Sequence, residues 1–244
     1  MIEDFVDITT DDGAMNSFVV HPEEDGPHPV VLFLMDAPGM REEIRDMSRR
    51  LASAGYYVIA SNLYYREVRE FNMFEFGGTR EEVWKHMGAL SNDMIVRDAG
   101  AMIAFADADP AADASRVGTV GYCMSGPFAL MTAAAHNDRV KAAASIHGVA
   151  LATDAPDSPH RHLNSINAEV YVAAAEYDEH ITPAQVDAFE AALEASSARG
   201  RVEWYPGTDH GFTFAQRGPI YDKQGSERHW ERLHALFDRN LRQG

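Results

Sequence analysis

Residues 117–126 read Val-Gly-Thr-Val-Gly-Tyr-Cys-Met-Ser-Gly, and this stretch decides how the rest of the chain is interpreted. Its first four residues contain two valines and a threonine, which is typical of a short buried strand. The alanine-rich residues 127–135 favour a helix directly afterwards. A strand that passes through small residues into a helix, with one nucleophilic side chain at the turn, is the pattern of a nucleophile elbow. The central residue of this elbow is Cys123, the only cysteine in the chain.

The identity of the nucleophile has two alternatives within this stretch. A lone cysteine after an apolar strand can be a small buried hydrophobic residue without any chemical role. Ser125 could also be the nucleophile, but Cys123 would then occupy the position where the elbow requires glycine. A thiol at a helix N-terminus lies at the positive end of the helix dipole, which favours the thiolate. This stretch alone leaves the alternatives open, and Ser125 stands where the elbow pattern expects its second glycine.

The composition excludes several classes of function. The formal net charge is −17, which argues against binding to nucleic acid or to an anionic membrane surface. A single cysteine cannot form an intrachain disulfide, which is consistent with a reducing compartment. The N-terminal residues lack the basic and apolar regions of a signal peptide, and no apolar run approaches the length of a membrane span. We expect a cytoplasmic protein, monomeric or homodimeric, that acts on a small molecule.

Strand and helix patterns alternate along the chain. Residues 3–9 and 15–20 flank the turn signal Asp11-Asp12-Gly13 and predict an N-terminal β-hairpin. A strand at 30–35, a helix at 41–54 and a strand at 56–60 form a βαβ unit, so these two strands should be parallel. Further helices are predicted at 93–108, 183–196 and 227–241, and further strands at 140–146, 170–175 and 201–204. Residues 61–87 show no regular pattern and are rich in aromatic side chains, so they are interpreted either as an irregular surface segment or as a lid or wall of the site. We predict a single domain over 1–244, in which 61–90 and 149–168 are segments that could cover the site.

Three residues suited to acyl chemistry follow successive predicted strands. They are Cys123, Asp178 and His210. The site of a parallel α/β sheet lies at the carboxyl ends of its strands, and the order nucleophile, acid, histidine is that of the α/β-hydrolases. The sequence therefore predicts the α/β class and the α/β-hydrolase fold, with a mostly parallel central sheet flanked by helices on both faces.

The chain resembles the dienelactone hydrolases over essentially its whole length. The matching segments are Gly-Tyr-Cys-Met-Ser-Gly at 121–126, Glu-Tyr-Asp-Glu-His-Ile-Thr-Pro at 176–183 and Tyr-Pro-Gly-Thr-Asp-His-Gly-Phe at 205–212. In the C-terminal part, Arg217, Tyr221 and Trp230 also fall as in many bacterial members. The resemblance implies that Cys123 is the nucleophile, His210 the base and Asp178 the residue that orients the base.

The resemblance also implies a reaction. The expected activity is hydrolysis of a carboxylic ester or lactone through a thioester intermediate, with no metal or other cofactor. The backbone N–H groups of Met124 and Ala37 are expected to form the oxyanion hole. Two histidines, His160 and His162, have a spacing that could suggest a metal site, but the sequence offers no third ligand.

Substrate-binding residues are predicted with less support from the sequence. Members of the family place a carboxylate, usually glutamate, after the third strand to partner the resting thiol, and this chain has the shorter Asp36 there. Well-known members also hold a substrate carboxylate with arginines, and one such position is Phe214 here, which leaves Arg66, Arg80 and Arg217 as candidates. The residues predicted to bind substrate or to partner the thiol are Asp36, Tyr64, Tyr65, Arg80, Tyr122, His147, Phe212 and Arg217.

Two other classes of function compete with a hydrolase. A ligand-binding protein with this fold could turn over little substrate, because a fold does not guarantee its chemistry. A redox-sensing thiol is disfavoured, because no second cysteine exists to resolve a sulfenic acid within the chain. An aryl-ester assay of the wild type, Cys123→Ala and His210→Ala separates these classes, because both variants should lose turnover if the protein is a hydrolase.

Overall fold

The structure is a computed structural model that describes residues 1–75 and 77–242. The chain divides into two compact units, Met1–Val117 and Gly118–Gly244. Within the described residues there are eight β-strands and six α-helices. The prediction of a single domain over 1–244 stays a prediction, because a division into compact units does not decide it.

The first unit begins with the predicted hairpin. Strands β1 (Ile2–Thr10) and β2 (Gly13–His21) pair antiparallel, and the remaining strands of the unit are β3 (His28–Leu34) and β4 (Tyr57–Ser61). Their order is β1-β2-β4-β3, and β3 and β4 are parallel as the βαβ pattern predicts. Every residue of β4 is buried, as expected for a strand that is covered on both faces.

Three helices belong to this unit. They are α1 (Glu42–Ser53), α2 (Arg80–Gly88) and α3 (Asn92–Asp107). Helix α1 buries Ile44, Met47 and Leu51, which are the apolar residues at helical spacing that predict it. Helix α2 lies inside 61–90, where the sequence analysis predicts only irregular structure. Phe76, in the same segment, lies outside the described residues.

Strand β5 (Ala112–Tyr122) begins in the first unit and ends in the second. The second unit continues with α4 (Gly126–Ala135), β6 (Val140–Ile146), β7 (Glu169–Tyr177), α5 (Pro183–Ala195), β8 (Arg199–Asp209) and α6 (Lys223–Leu241). Strands β6, β7 and β8 are successive parallel neighbours. Their carboxyl ends therefore lie at one edge, which is the edge where the sequence predicts the site.

The second predicted covering segment, 149–168, belongs to this unit. It forms two short 3₁₀ turns, Pro159–Arg161 and Leu163–Ser165, that pack against α4, and the first of them also packs against α5. Leu151, Leu163 and Ile166 are buried, so the segment is packed against the rest of its unit and is not an exposed excursion. Its role in covering the site stays a prediction.

Candidate active site

The end of β5 forms the predicted elbow. Cys123 directly follows β5 and adopts φ +56°, a left-handed conformation that a side chain other than glycine rarely takes. A Cβ on Gly121 would lie 1.9 Å from the Ser125 carbonyl oxygen, and one on Gly126 would lie 2.5 Å from the Gly148 Cα. Both glycines are therefore required by close backbone contacts, and they allow the strand to turn sharply into α4.

Ser125 is compatible with the elbow because of its own backbone conformation. It has φ −91° and ψ −2°, which any residue adopts, and its side chain is buried. Nothing in this geometry requires glycine at position 125. The departure from the expected second glycine is thus accommodated without backbone strain.

Asp178 and His210 directly follow β7 and β8, and they are bonded to each other. The His210 Nδ1 and Asp178 Oδ2 atoms are 2.7 Å apart, and both side chains are almost fully buried. The backbone N–H of His180 donates to the second oxygen of Asp178 at 2.8 Å. Because Tyr177 pairs with Asp209 across the parallel strands, the residues that follow them are neighbours. This hydrogen bond fixes the tautomer of His210 and directs Nε2 away from Asp178.

The electrostatics of His210 connect it to the elbow. Burial alone would lower the pKa of His210, but the hydrogen bond to Asp178, the nearby Cys123 side chain and the charges of both outweigh burial and raise the pKa to about 10. The Nε2 atom is buried and has no partner in hydrogen-bonding geometry among the described residues. Catalytic hydrogen bonds are often loose before substrate binds, so a nearby thiol that is not yet aligned is the expected resting arrangement. Cys123, Asp178 and His210 are therefore brought together in the second unit.

Of the other predicted residues of this unit, His147 lies against the His210 ring, whereas the contacts of Tyr122 and Arg217 are with other residues, and their roles stay predictions. His147 directly follows β6, and its ring centroid is 5.0 Å from that of His210 and 5.6 Å from that of Phe212. Tyr122 is buried with its hydroxyl 3.1 Å from the His229 Nε2 atom. The Arg217 guanidinium lies over the Phe214 ring at 5.4 Å.

The predicted residues of the first unit have well-defined local contacts. Asp36 is fully buried, and Arg41 donates to both of its carboxylate oxygens, at 2.5 and 3.2 Å. The Ala37 carbonyl accepts a hydrogen bond of 2.9 Å from the Tyr64 hydroxyl. Tyr65 donates its hydroxyl to Asp98 at 2.9 Å. The roles predicted for Asp36, Ala37, Tyr64 and Tyr65 stay predictions.

Arg80 and Arg66 are the remaining arginines predicted as candidates for holding a substrate carboxylate. Arg80 is the first residue of α2, where the sequence predicts irregular structure. Arg66 is paired with Asp98 and Asp12 within the first unit, which accounts for its charge there.

Three residues that contribute to these sites are not among the predicted site residues. They are Arg41, His180 and Thr213. Arg41 binds Asp36, the backbone of His180 binds Asp178, and the Thr213 hydroxyl lies 3.0 Å from the His147 Nε2 atom. A carboxylate followed by an arginine five residues later could have suggested the first pairing.

His160 and His162, whose spacing could suggest a metal site, have other partners in the structure. His160 Nδ1 lies 2.9 Å from the Ser158 hydroxyl, and His162 Nε2 lies 3.2 Å from the Pro156 carbonyl oxygen. Within residues 1–75 and 77–242, no three His, Cys, Asp or Glu side chains are grouped as metal ligands would be. None of the helices in the same part of the chain has the length and apolar character needed to cross a bilayer.

Comparison with known proteins adds to this geometry. The model of the dienelactone hydrolase family matches residues 15–241. The chain belongs to the dienelactone hydrolase family. The resemblance found in the elbow and in the segments around Asp178 and His210 is thereby confirmed.

Individual relatives in the dienelactone hydrolase family cover nearly the whole chain. A Synechocystis protein provisionally named a carboxymethylenebutenolidase is 29% identical over 92% of both chains. A Rhodococcus opacus protein named carboxymethylenebutenolidase is 23% identical, over 92% of this chain and 87% of that one. The crystal structure of a Klebsiella pneumoniae protein provisionally named a dienelactone hydrolase is 27% identical, with a TM-score of 0.86 over 97% of this chain and 98% of that one. The predicted α/β-hydrolase fold is confirmed, and the protein is a hydrolase of this family.

Proposed function

We propose that this dienelactone hydrolase family member cleaves a carboxylic ester or lactone through a thioester on Cys123, with His210 as base and Asp178 as its orienter. The observation that carries the proposal is the position of the His210 imidazole, which is bonded to the Asp178 carboxylate and has its pKa raised by Cys123 as well. The curated relatives named for carboxymethylenebutenolidase activity support the same reaction class.

The first half of the reaction forms the thioester. In the resting site the raised pKa of His210 favours an imidazolium beside a thiolate. The Cys123 thiolate attacks the substrate carbonyl, and the Met124 backbone N–H, at the start of the turn into α4, stabilises the oxyanion. The intermediate collapses as the C–O bond to the alkoxide breaks and the His210 imidazolium donates its proton to that oxygen. Ala37 stays the predicted second oxyanion donor.

The second half releases the acid. Acylation neutralises the sulfur, so the contribution of Cys123 to the raised pKa of His210 is lost, and the imidazole becomes a base suited to deprotonate water. The resulting hydroxide attacks the thioester carbonyl, the C–S bond breaks, and the sulfur leaves as thiolate. The proton stays on His210 and restores the imidazolium. Asp178 keeps the ring oriented and stabilises its charge throughout.

Mass-spectrometric trapping of the acyl-enzyme tests the proposal. The protein is mixed with an aryl acetate or an unsaturated lactone, and the reaction is quenched rapidly. The peptide that contains Cys123 should then carry the acyl group. Cys123→Ala should lose the adduct and all turnover above background. Asp178→Asn should lower kcat by about 10⁴-fold, as expected when the tautomer of the base is wrong.

Two matched variants control the experiment. Asp209→Asn removes an exposed carboxylate next to His210 and should leave turnover unchanged. Ser125→Ala should also retain turnover, since Ser125 is not the nucleophile. An acyl group found on Ser125, or turnover that persists in Cys123→Ala, would refute the proposed mechanism. Binding of the lactone without turnover by the wild-type protein would favour the ligand-binding alternative.

A further inference from the structure

His147 is a buried histidine that the proposed mechanism does not use. It directly follows β6, and its φ of +38° lies in the left-handed region that disfavours side chains. Its side chain is 1% exposed, and its Nε2 atom is 3.0 Å from the Thr213 hydroxyl. A strained backbone persists only where its surroundings hold it, and such positions cluster at functional sites.

The ring of His147 packs against the proposed base. The two imidazole centroids are 5.0 Å apart with an interplanar angle of 64°, an edge-to-face contact. Thr213, which anchors His147, lies three residues after His210 on the same loop. Phe212 and Phe214, from that loop as well, contact the His147 ring at 5.6 Å each. The loop that carries the base is thus held against His147 on several sides.

The turn that begins at His147 also contacts the elbow. The Val149 backbone N–H donates to the Cys123 carbonyl at 3.3 Å. The Gly148 Cα is so close to Gly126 that a Cβ on Gly126 would lie 2.5 Å from it. Residues 147–149 therefore join the loop that carries the sulfur to the loop that carries the imidazole.

We infer that His147 is a positioning residue that fixes the His210 imidazole relative to Cys123, with Thr213 as the anchor of its ring. The inference rests on the proposed function, since it assigns His147 a role in aligning the proposed base and nucleophile. Asp178 fixes one edge of the His210 ring through Nδ1. The His147 ring packs against the His210 ring and restricts its rotation. The contacts with Asp178 and His147 together leave Nε2 as the His210 atom that can reach the Cys123 sulfur.

A positioning residue here must remain uncharged, because a second cation would repel the imidazolium. Burial lowers the pKa of His147 well below its ordinary value, and the positive charges of His210, Arg217 and His229 lower it further. His147 therefore takes up a proton only at a pH well below the pKa of His210. Its contact with His210 is an edge-to-face packing of two rings.

The test compares variants that remove the ring, keep the ring or remove its anchor. His147→Ala removes the ring and should lower kcat for an aryl ester by about 10²-fold, the effect of a misplaced catalytic group, with KM nearly unchanged. His147→Phe restores a ring without the bond to Thr213 and should recover most of that loss, while kcat stays several-fold below that of the wild type. Thr213→Val removes only the anchor and should resemble His147→Phe. His162→Ala, a histidine replacement in the 3₁₀ segment, should match the wild type.

The second readout is the rate at which iodoacetamide alkylates Cys123, measured as a function of pH. Iodoacetamide reacts with the thiolate, so this rate reports the ionisation of Cys123 and not the stability of the fold. In His147→Ala the imidazolium is no longer held beside the sulfur, so alkylation below neutral pH should slow relative to the wild type. A folded His147→Ala with wild-type kcat and a wild-type alkylation profile would overturn the inference, as would equal losses in His147→Ala and His147→Phe. If His147→Ala does not fold, unchanged kcat and alkylation in both His147→Phe and Thr213→Val would overturn it. Turnover that persists in Cys123→Ala would instead refute the proposed function.

Discussion

Replacing Arg41 by methionine is expected to destabilise the protein by about 3–5 kcal/mol, the cost of leaving a buried charge without its partner. Arg41 is fully buried, immediately before α1. Its guanidinium has five N–H donors, and each has an acceptor: two go to Asp36, two to Glu43 and one to the Gly39 carbonyl. Methionine fills much of the same volume but supplies no donor.

The magnitude follows from the burial of the partners. Asp36 is fully buried and Glu43 is 7% exposed, so water cannot replace the lost hydrogen bonds without entering the site. Burial alone would lower the pKa of Arg41, but the charges and hydrogen bonds of Asp36 and Glu43 outweigh burial and raise it. In Arg41→Met two carboxylates share a buried site without a cation, and one of them must take up a proton or admit water. We expect the upper half of the range for this reason.

Arg49 provides a matched control on the same helix. It contacts Glu3, Glu42 and Asp46, so it has more carboxylate partners than Arg41, but its side chain is 26% exposed. Ion pairs exposed to solvent contribute little, so Arg49→Met should cost at most about 1 kcal/mol. The two variants separate the effect of burial from the effect of the number of ion pairs.

Urea denaturation followed by circular dichroism measures both free energies of unfolding. Arg41→Met should lower the midpoint strongly, with a thermal shift of roughly 6 to 20 °C, because about 1 kcal/mol corresponds to about 2–4 °C in a protein of this size. The deficit should shrink at acidic pH, where protonation relieves the repulsion between the orphaned carboxylates. Equal losses for Arg41→Met and Arg49→Met, or a deficit that grows as the pH falls, would refute the reasoning.

Two further predictions concern the elbow and the base. Gly121→Ala should abolish esterase activity and lower the melting temperature, because its Cβ would lie 1.9 Å from the Ser125 carbonyl oxygen. Gly88→Ala is the control, because its Cβ would meet no atom within 4 Å, and it should leave activity unchanged and stability unchanged or slightly raised. His210 has its pKa raised from 6.5 to about 10, so its pairing stabilises the fold fully below about pH 6.5 and ceases to do so as the pH rises through about 10. The difference in unfolding free energy between wild type and His210→Gln should therefore be larger at about pH 6 than at about pH 10, and a difference that grows with pH would contradict the assignment.

The placement of the triad residues could be predicted because it depends on topology more than on packing. Each of the three follows a strand, and the carboxyl ends of parallel strands share an edge whatever the details of the side chains. The strand ends were predicted less well. Strand β8 runs to Asp209, whereas the pattern of alternating residues stops at Trp204, because Tyr205, Pro206 and Gly207 read as a turn. The extension is what brings His210 directly to the end of a strand.

Helix α2 could not be predicted from hydrophobic periodicity. Of its nine residues only Val83 and His86 are buried, and Trp84 is 52% exposed, so it has no apolar stripe to recognise. Its helical signal is local instead: Thr79 and Glu82 form a reciprocal capping box. The aromatic residues of 61–90 favour a wall of the site, but this composition carries no information about the helix cap.

The left-handed backbone at His147 shows most clearly what a sequence leaves out. A positive φ is usually signalled by glycine, yet both Cys123 and His147 adopt it with large side chains, at a cost of about 1–3 kcal/mol each. Glycine at either position would remove the strain but would also remove the sulfur or the ring. For Cys123 the elbow pattern reveals the reason, because glycines lie on both sides of the turn. For His147 the reason exists only in three dimensions, in the contacts with His210 and Thr213 that no local pattern encodes. The sequence therefore contains a reason for the strain at the nucleophile but none for the strain at the residue beside the base.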